Sequence, residues 1–158
     1  MISITNKIKN NLGISISVAI LSGLWALLSE QLGVLPWAGF LGWSIFFFAG
    51  ADLDAAKKTL PPIILGPILA FMTSYAQSVF GSTGLTAALI VFVLGFAMTI
   101  AQAFSLFEVA AATFISANVY FASGDLFNAI VVVAFGLVLG LASIKLGEFF
   151  DSLILADQ

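Results

Sequence analysis

The sequence has no cysteine, no histidine and no arginine. Without Cys or His there is no Cys–His or Ser–His nucleophile pair, no disulfide and no ordinary zinc site. Charge of either sign is scarce, at 8% of the residues, where a soluble domain carries about a quarter. The five positive charges are all lysines and form no basic run. A phosphate backbone would find nothing to hold it, so nucleic acid is not an expected partner.

Apolar residues fill the space that charge leaves. Of 158 residues, 61% are hydrophobic and 16 are Phe, and the mean hydropathy is +1.17. A soluble chain of this length has too little interior to hide so much apolar surface. Its exterior would aggregate. The expected surroundings are therefore a lipid bilayer.

A helix crosses the hydrocarbon core with roughly 20 residues. Six apolar segments are legible: 12–34, 36–51, 60–81, 85–105, 107–123 and 126–148. The second and fifth are shorter than the rest. The connections are brief, so neighbours should form antiparallel hairpins. One membrane domain over 1–158 is expected, with no soluble module. The stretch after Lys7 and Lys9 is too long for a cleaved leader and no small-x-small site follows it, so it is read as the first membrane helix. With both termini cytoplasmic, Lys7, Lys9, Lys57, Lys58 and Lys145 all fall on the cytoplasmic side, which satisfies the positive-inside rule.

Local punctuation marks the helix ends. Pro36 suits a first helical turn, and so do Pro61 and Pro62 after an N-cap at Thr59. Gly124-Asp125 reads as a C-cap followed by the next N-cap. Ser105 and Glu108 have the spacing of a capping box. Gly66-Pro67 lies inside the third helix, where a proline frees a carbonyl.

A shift of 73 residues partly overlays the chain on itself. Over 36–56 it pairs Ala38, Phe48, Ala49, Asp52, Leu53 and Ala56 with identical residues. Both halves, about 12–81 and 85–154, read long, short, long. Three helices per half is an odd number, so the halves must lie in the membrane with opposite orientations. The expected fold is an all-α membrane protein of six transmembrane helices in two inverted three-helix repeats, with helices 2 and 5 short. Inverted repeats are a common plan for transporters, with the solute site near the midplane where short or broken segments meet. Tandem duplication is also a simple route to a membrane bundle with no transport role.

Several stretches resemble the YcdZ-type inner-membrane proteins, a family of small bacterial proteins of unknown function. These are Ile20-Leu-Ser-Gly-Leu-Trp-Ala26, Gly33-Val-Leu-Pro-Trp-Ala-Gly-Phe-Leu-Gly42, Thr113-Phe-Ile-Ser-Ala-Asn118, Phe121-Ala-Ser-Gly-Asp125 and Gly136-Leu-Val-Leu-Gly140. The resemblance runs from about Leu12 to Gly147. It implies a bacterial inner-membrane location and attaches no activity.

Seven residues are candidates for lining a solute path. Phe40, Trp43 and Phe47 follow i, i+3, i+7 and form one aromatic stripe on helix 2. The stripe could wall a narrow apolar pore or face lipid and packing partners. Glu108, at the head of helix 5, is a proton site, a mouth that binds amides or cations, or the partner of Ser105 in a capping box. Thr113, Ser116 and Asn118 lie on short helix 5, where hydroxyls and amides serve as inter-helix glue or as solute contacts. Thr113 and Ser116 share a face, and Asn118 points away from it. Gly136-x-x-x-Gly140 and Ala19-x-x-x-Gly23 permit close approach of helices or subunits, and a homo-oligomer is expected.

These features point to a channel or facilitator for a small neutral solute such as urea, a short amide or ammonia. A proton-coupled transporter using Glu108 and a non-transport scaffold or accessory subunit are the alternatives. No metal or cofactor is expected. With no convincing pair of acids at midplane depth, an enzyme is not expected either.

Overall fold

The computed structural model describes residues 8–9 and 11–156, and Lys7 lies outside them. Among the described residues six helices are delimited from Leu12 onward: α1 (Leu12–Leu32), α2 (Pro36–Ala49), α3 (Leu53–Phe80), α4 (Gly84–Ile100), α5 (Ala110–Ser123) and α6 (Leu126–Ala156). Two 3-10 turns, Ala101–Ala103 and Ser105–Phe107, join α4 to α5. No strand occurs among the described residues. Four helices are long and apolar enough to cross a bilayer: α1, α3, α4 with its first 3-10 turn, and α6. Helices α2 and α5 have 14 residues each, about 21 Å of helix against about 30 Å of hydrocarbon. They are the short pair expected from the sequence.

Side chains that water would reject cover the outside. Phe48, Phe80, Phe92 and Phe127 are exposed, and on α4 only Met98 is buried. Such a surface is stable only against lipid.

The helix starts follow the caps, with two departures. Pro36 opens α2 and Gly124 ends α5 in the left-handed region (φ 69°), both as expected. The third helix starts a full two turns earlier than the sequence suggests. Asp52, not Thr59, is its N-cap, and its carboxylate accepts the Ala55 N–H at 2.6 Å. Pro61 and Pro62 therefore sit inside α3. The carbonyls they free belong to Lys57 and Lys58, two exposed residues in the first turns of the helix. The second departure is the capping box. Residues 101–107 are taken up by 3-10 turns, so α5 begins only at Ala110 and Val109 stands at its N-cap. Ser105 does not cap it.

Contacts fix the helix directions. Gly13 N–H donates to Asp151 Oδ1 at 3.0 Å, and Ser17 Oγ–H donates to the Ser143 carbonyl at 2.6 Å. Helix α1 thus runs antiparallel to α6. Gly42 of α2 lies on Val133 and Gly136 of α6, and Gly140 lies on Phe46, so α2 and α6 run in the same direction. Gly66 of α3 lies on Thr113 and Ser116 of α5. Lys58 meets Glu108 further down the same pair, so α3 and α5 also run together. The connections at 33–35, 81–83 and 124–125 gather at one end. The head of α3 with Lys57 and Lys58, the start of α1 and the later turns of α6 with Lys145 gather at the other.

The centre is made of glycine crossings. A Cβ at Gly42 would overlap the Val133 carbonyl, and one at Gly136 would overlap the backbone of Gly39, Gly42 and Trp43. Gly140, from the predicted small-residue pair on α6, is covered by the Phe46 ring. Ala19 and Gly23 on α1 face outward instead, and none of the described residues lies within 4 Å of a Cβ at Gly23.

Burial patterns recur along the chain at spacings other than 73. Helices α2 and α5 start and end 74 positions apart, at Pro36 with Ala110 and Ala49 with Ser123. All six buried residues of α2 (Ala38, Gly39, Gly42, Trp43, Ile45 and Phe46) have buried partners at that spacing in α5. The 73-residue spacing holds only at the caps, Asp52 and Asp125. Ala51 is the extra residue that changes the count, and it adopts φ 60°. Helices α3 and α6 match at 70: Gly66 corresponds to Gly136, and Thr59, Pro62, Ala70 and Thr73 correspond to the buried Ala129, Val132, Gly140 and Ser143.

Candidate functional site

The seven predicted residues do not gather around one cavity. On the α2 stripe the rings stack in series, Phe40 to Trp43 at 6.1 Å and Trp43 to Phe47 at 6.4 Å. Only Trp43 faces inward. Phe40 and Phe47 are 37% and 39% exposed and lie on the outer surface. The i, i+3, i+7 spacing was enough to align the rings but not to turn the stripe toward the centre.

On α5, Thr113 and Ser116 share a buried face, and Asn118 is exposed with its amide on the Phe114 carbonyl. Ser116 Oγ–H is held by the Ala112 carbonyl at 2.7 Å. Thr113 Oγ1 is buried with no hydrogen-bond partner among the described residues. A helical threonine ordinarily donates to the carbonyl four residues back. That residue is Val109, which lies outside the helix with ψ 77°, so its carbonyl is not aligned with the helix.

Glu108 sits at the lysine-bearing end, where one carboxylate oxygen lies 3.3 Å from Lys58 Nζ. Both side chains are about half exposed. The pair bridges the head of α3 to the start of α5.

Two further polar groups carry no signal in the sequence beyond being serines. Ser143 Oγ accepts the Trp43 indole N–H at 3.2 Å and donates to the Gly140 carbonyl at 2.6 Å. Ser17 joins the same knot through the Ser143 carbonyl. All three side chains are buried, and they bind α1, α2 and α6 together.

The described chain also forms a cleft of about 290 Å³ at the end that bears the short connections. Its floor is Ala38, Val119, Ala129 and Val132. Its rim is polar. Asp125 Oδ1 accepts the Asn128 backbone N–H at 3.0 Å, its Oδ2 accepts the Asn128 amide at 2.9 Å, and Ser123 Oγ accepts the Asp125 N–H at 3.2 Å. Asp125 was legible as a cap; the cleft beneath it was not, because it needs the α1–α2 connection folded over the head of α6.

A family model, described as a protein of unknown function (DUF1097), matches residues 15–148. The chain belongs to this family. It is 30% identical over 133 residues to the inner membrane protein YcdZ of Escherichia coli (strain K12), covering 83% of this chain and 82% of that one. It is 29% identical over 148 residues to the inner membrane protein YcdZ of Salmonella typhimurium (strain LT2), covering 89% of each. No solved structure matches. The matched span includes both short helices, the glycine crossings and the cleft.

Proposed function

We propose that this membrane protein is a non-enzymatic inner-membrane facilitator for a small neutral solute, built as two inverted three-helix repeats. The repeat reading is supported by two parallel helix pairs that run in opposite directions, α2 with α6 and α3 with α5. Each pair crosses at an equivalent glycine, Gly136 and Gly66. The inner-membrane location is supported by the relatives and by the four long apolar helices. The lysines support a topology with the Lys57–Lys58 end in the cytoplasm.

The cleft carries the solute reading. A water molecule takes about 30 Å³ of liquid, so 290 Å³ admits a small molecule with part of its hydration. Its floor is small and apolar, and its rim offers a carboxylate, an amide and a hydroxyl. That combination suits a compact hydrogen-bonding molecule such as urea, a short amide or ammonia. It does not suit a dehydrated ion, for which the described residues form no ring of carboxylates.

One observation favours the scaffold reading. At the two crossings Gly42 and Gly66 pack directly on the backbones of α6 and α5, which leaves no room for a solute between those helices there. A facilitator that passes its solute between them must therefore change shape. Stopped-flow permeability of proteoliposomes to a panel of small neutral solutes separates the readings. Faster uptake of at least one solute than in empty vesicles supports transport. Flat rates across the panel remove it and leave the scaffold. Glu108→Gln tests proton coupling: unchanged uptake in a pH gradient rules that mechanism out.

A further inference from the structure

The cleft at one end and the Lys58–Glu108 ion pair at the other occupy corresponding places in the two halves. The cleft is lined by the approach to α2 (Val34, Leu35, Ala38), the end of α5 (Val119, Ser123) and the head of α6 (Asn128, Ala129, Val132). At the spacing of the short helices, Val34 corresponds to Glu108 and Ala38 to Ala112. At the spacing of the long helices, Asn128 corresponds to Lys58, Ala129 to Thr59 and Val132 to Pro62. The facing pair Val34 and Asn128 stands at the open end. The facing pair Glu108 and Lys58 stands at the other and is joined at 3.3 Å. Ala112, Thr59 and Ile45, which correspond by these spacings to the cleft-floor residues Ala38, Ala129 and Val119, are all 2% exposed or less.

We infer that these are the two mouths of one alternating pathway. The Asp125–Asn128 cleft is the mouth that admits solute in the state described. The Lys58–Glu108 pair latches the corresponding mouth at the opposite end. Exchange of the two halves' conformations would close the first and open the second over Thr59 and Ala112. This inference rests on the facilitator reading and gives it a mechanism consistent with the close crossings at Gly42 and Gly66. It also places the solute site on residues that the aromatic stripe did not include. Inverted repeats make such an exchange possible because each half can adopt the arrangement of the other. A half-exposed ion pair contributes little by itself, which suits a latch between states of nearly equal free energy.

The absence of cysteine makes the test direct. Ser123→Cys places a thiol in the cleft and Thr59→Cys places one at the latched end, both with little change of volume. In lipid nanodiscs, where both faces are open to reagent, a small methanethiosulfonate should label Ser123→Cys faster than Thr59→Cys. Adding Glu108→Gln should raise the Thr59→Cys rate by up to about fivefold and lower the Ser123→Cys rate. The exchanged pair Lys58→Glu with Glu108→Lys should return both rates toward those of the parent. Rates that rise at both positions would mean loosened packing and would overturn the alternation. So would rates that stay unchanged. Solute uptake without reciprocal labelling would leave the facilitator standing and remove the latch. Reciprocal labelling with flat uptake would keep the latch and remove the solute reading.

Discussion

Gly42 of α2 and Gly136 of α6 meet with no side chain between their backbones: a Cβ on either would overlap main-chain atoms of the other helix. Main chain cannot rotate away as a long side chain can, so the helices would have to separate. Gly42→Ala and Gly136→Ala are each expected to destabilise the fold by ~1–3 kcal/mol, the usual cost of overpacking. Gly23→Ala is the control, since its Cβ would meet none of the described residues. It should leave stability unchanged or raise it by up to ~1 kcal/mol through helix propensity. Thermal unfolding in detergent, followed by intrinsic tryptophan fluorescence, separates the two outcomes. Equal losses at all three positions would overturn the assignment of the crossing.

Ser143 has a double role that Ser17 lacks. Removing the Ser17 hydroxyl takes away one bond to a carbonyl that already belongs to a helix. Removing the Ser143 hydroxyl leaves the buried Trp43 indole N–H with no acceptor. The first change should cost ~0.6 kcal/mol, the average for an inter-helix hydrogen bond in a membrane. The second should cost ~1–3 kcal/mol, because an orphaned donor keeps its full desolvation penalty. Ser143→Ala is therefore expected to unfold well below Ser17→Ala in the same assay. A shifted fluorescence maximum from Trp43 should accompany it.

How much of this was legible in the sequence depended on the range of the interaction. Features set by one or two turns could be read directly. Examples are Pro36 at the head of α2, Gly124 at the end of α5 and the opposed faces of Thr113 and Asn118. The shortness of α2 and α5 was legible too, because apolar length is local. Features that depend on which helix lies opposite were not. The stripe Phe40–Trp43–Phe47 has the right period, but α6 covers only its Trp43 edge. Glu108 has the spacing of a cap, but the two 3-10 turns displace the helix start and leave its carboxylate to Lys58. The halves overlay at 73 residues in sequence because the caps Asp52 and Asp125 match. Packing follows 74 and 70, since one inserted residue and nearly one more turn of α3 precede the crossing at Gly66. The cleft had no sequence signal, because three separate elements build it.

Thr113 reverses the usual expectation for a buried polar side chain. Its hydroxyl is buried and makes no hydrogen bond to the described residues. Replacing it with the isosteric valine removes the desolvation penalty and loses no bond. Thr113→Val is expected to stabilise the protein by ~1 kcal/mol or more, the low end of the cost of an unsatisfied buried group. Ser116→Ala, which loses a bond to the Ala112 carbonyl, should not stabilise it. A lower unfolding temperature for Thr113→Val would show that the hydroxyl has a partner in the bilayer, such as an ordered water.

Ala51 is the residue by which the connection after α2 exceeds the one after α5, and its backbone carries the cost. It stands at φ 60°, a region that costs a residue with a Cβ roughly 1–2 kcal/mol. Gly50 before it is also at positive φ, and Asp52 after it caps α3. The connection is tied down by the Asp52 cap on one side and by the Ala51 N–H, which donates to the Phe46 carbonyl at 3.0 Å, on the other. Ala51→Gly removes the Cβ and should raise stability, by less than the full strain because glycine also gains freedom in the unfolded chain. Ala51→Val adds β-branching where positive φ is least tolerated and should lower stability by more than Ala51→Gly raises it. If both substitutions lower the unfolding temperature equally, the methyl group of Ala51 is making a contact that outweighs the strain. If the order Gly above Ala above Val holds, Ala51 is a strained residue in the connection between α2 and α3.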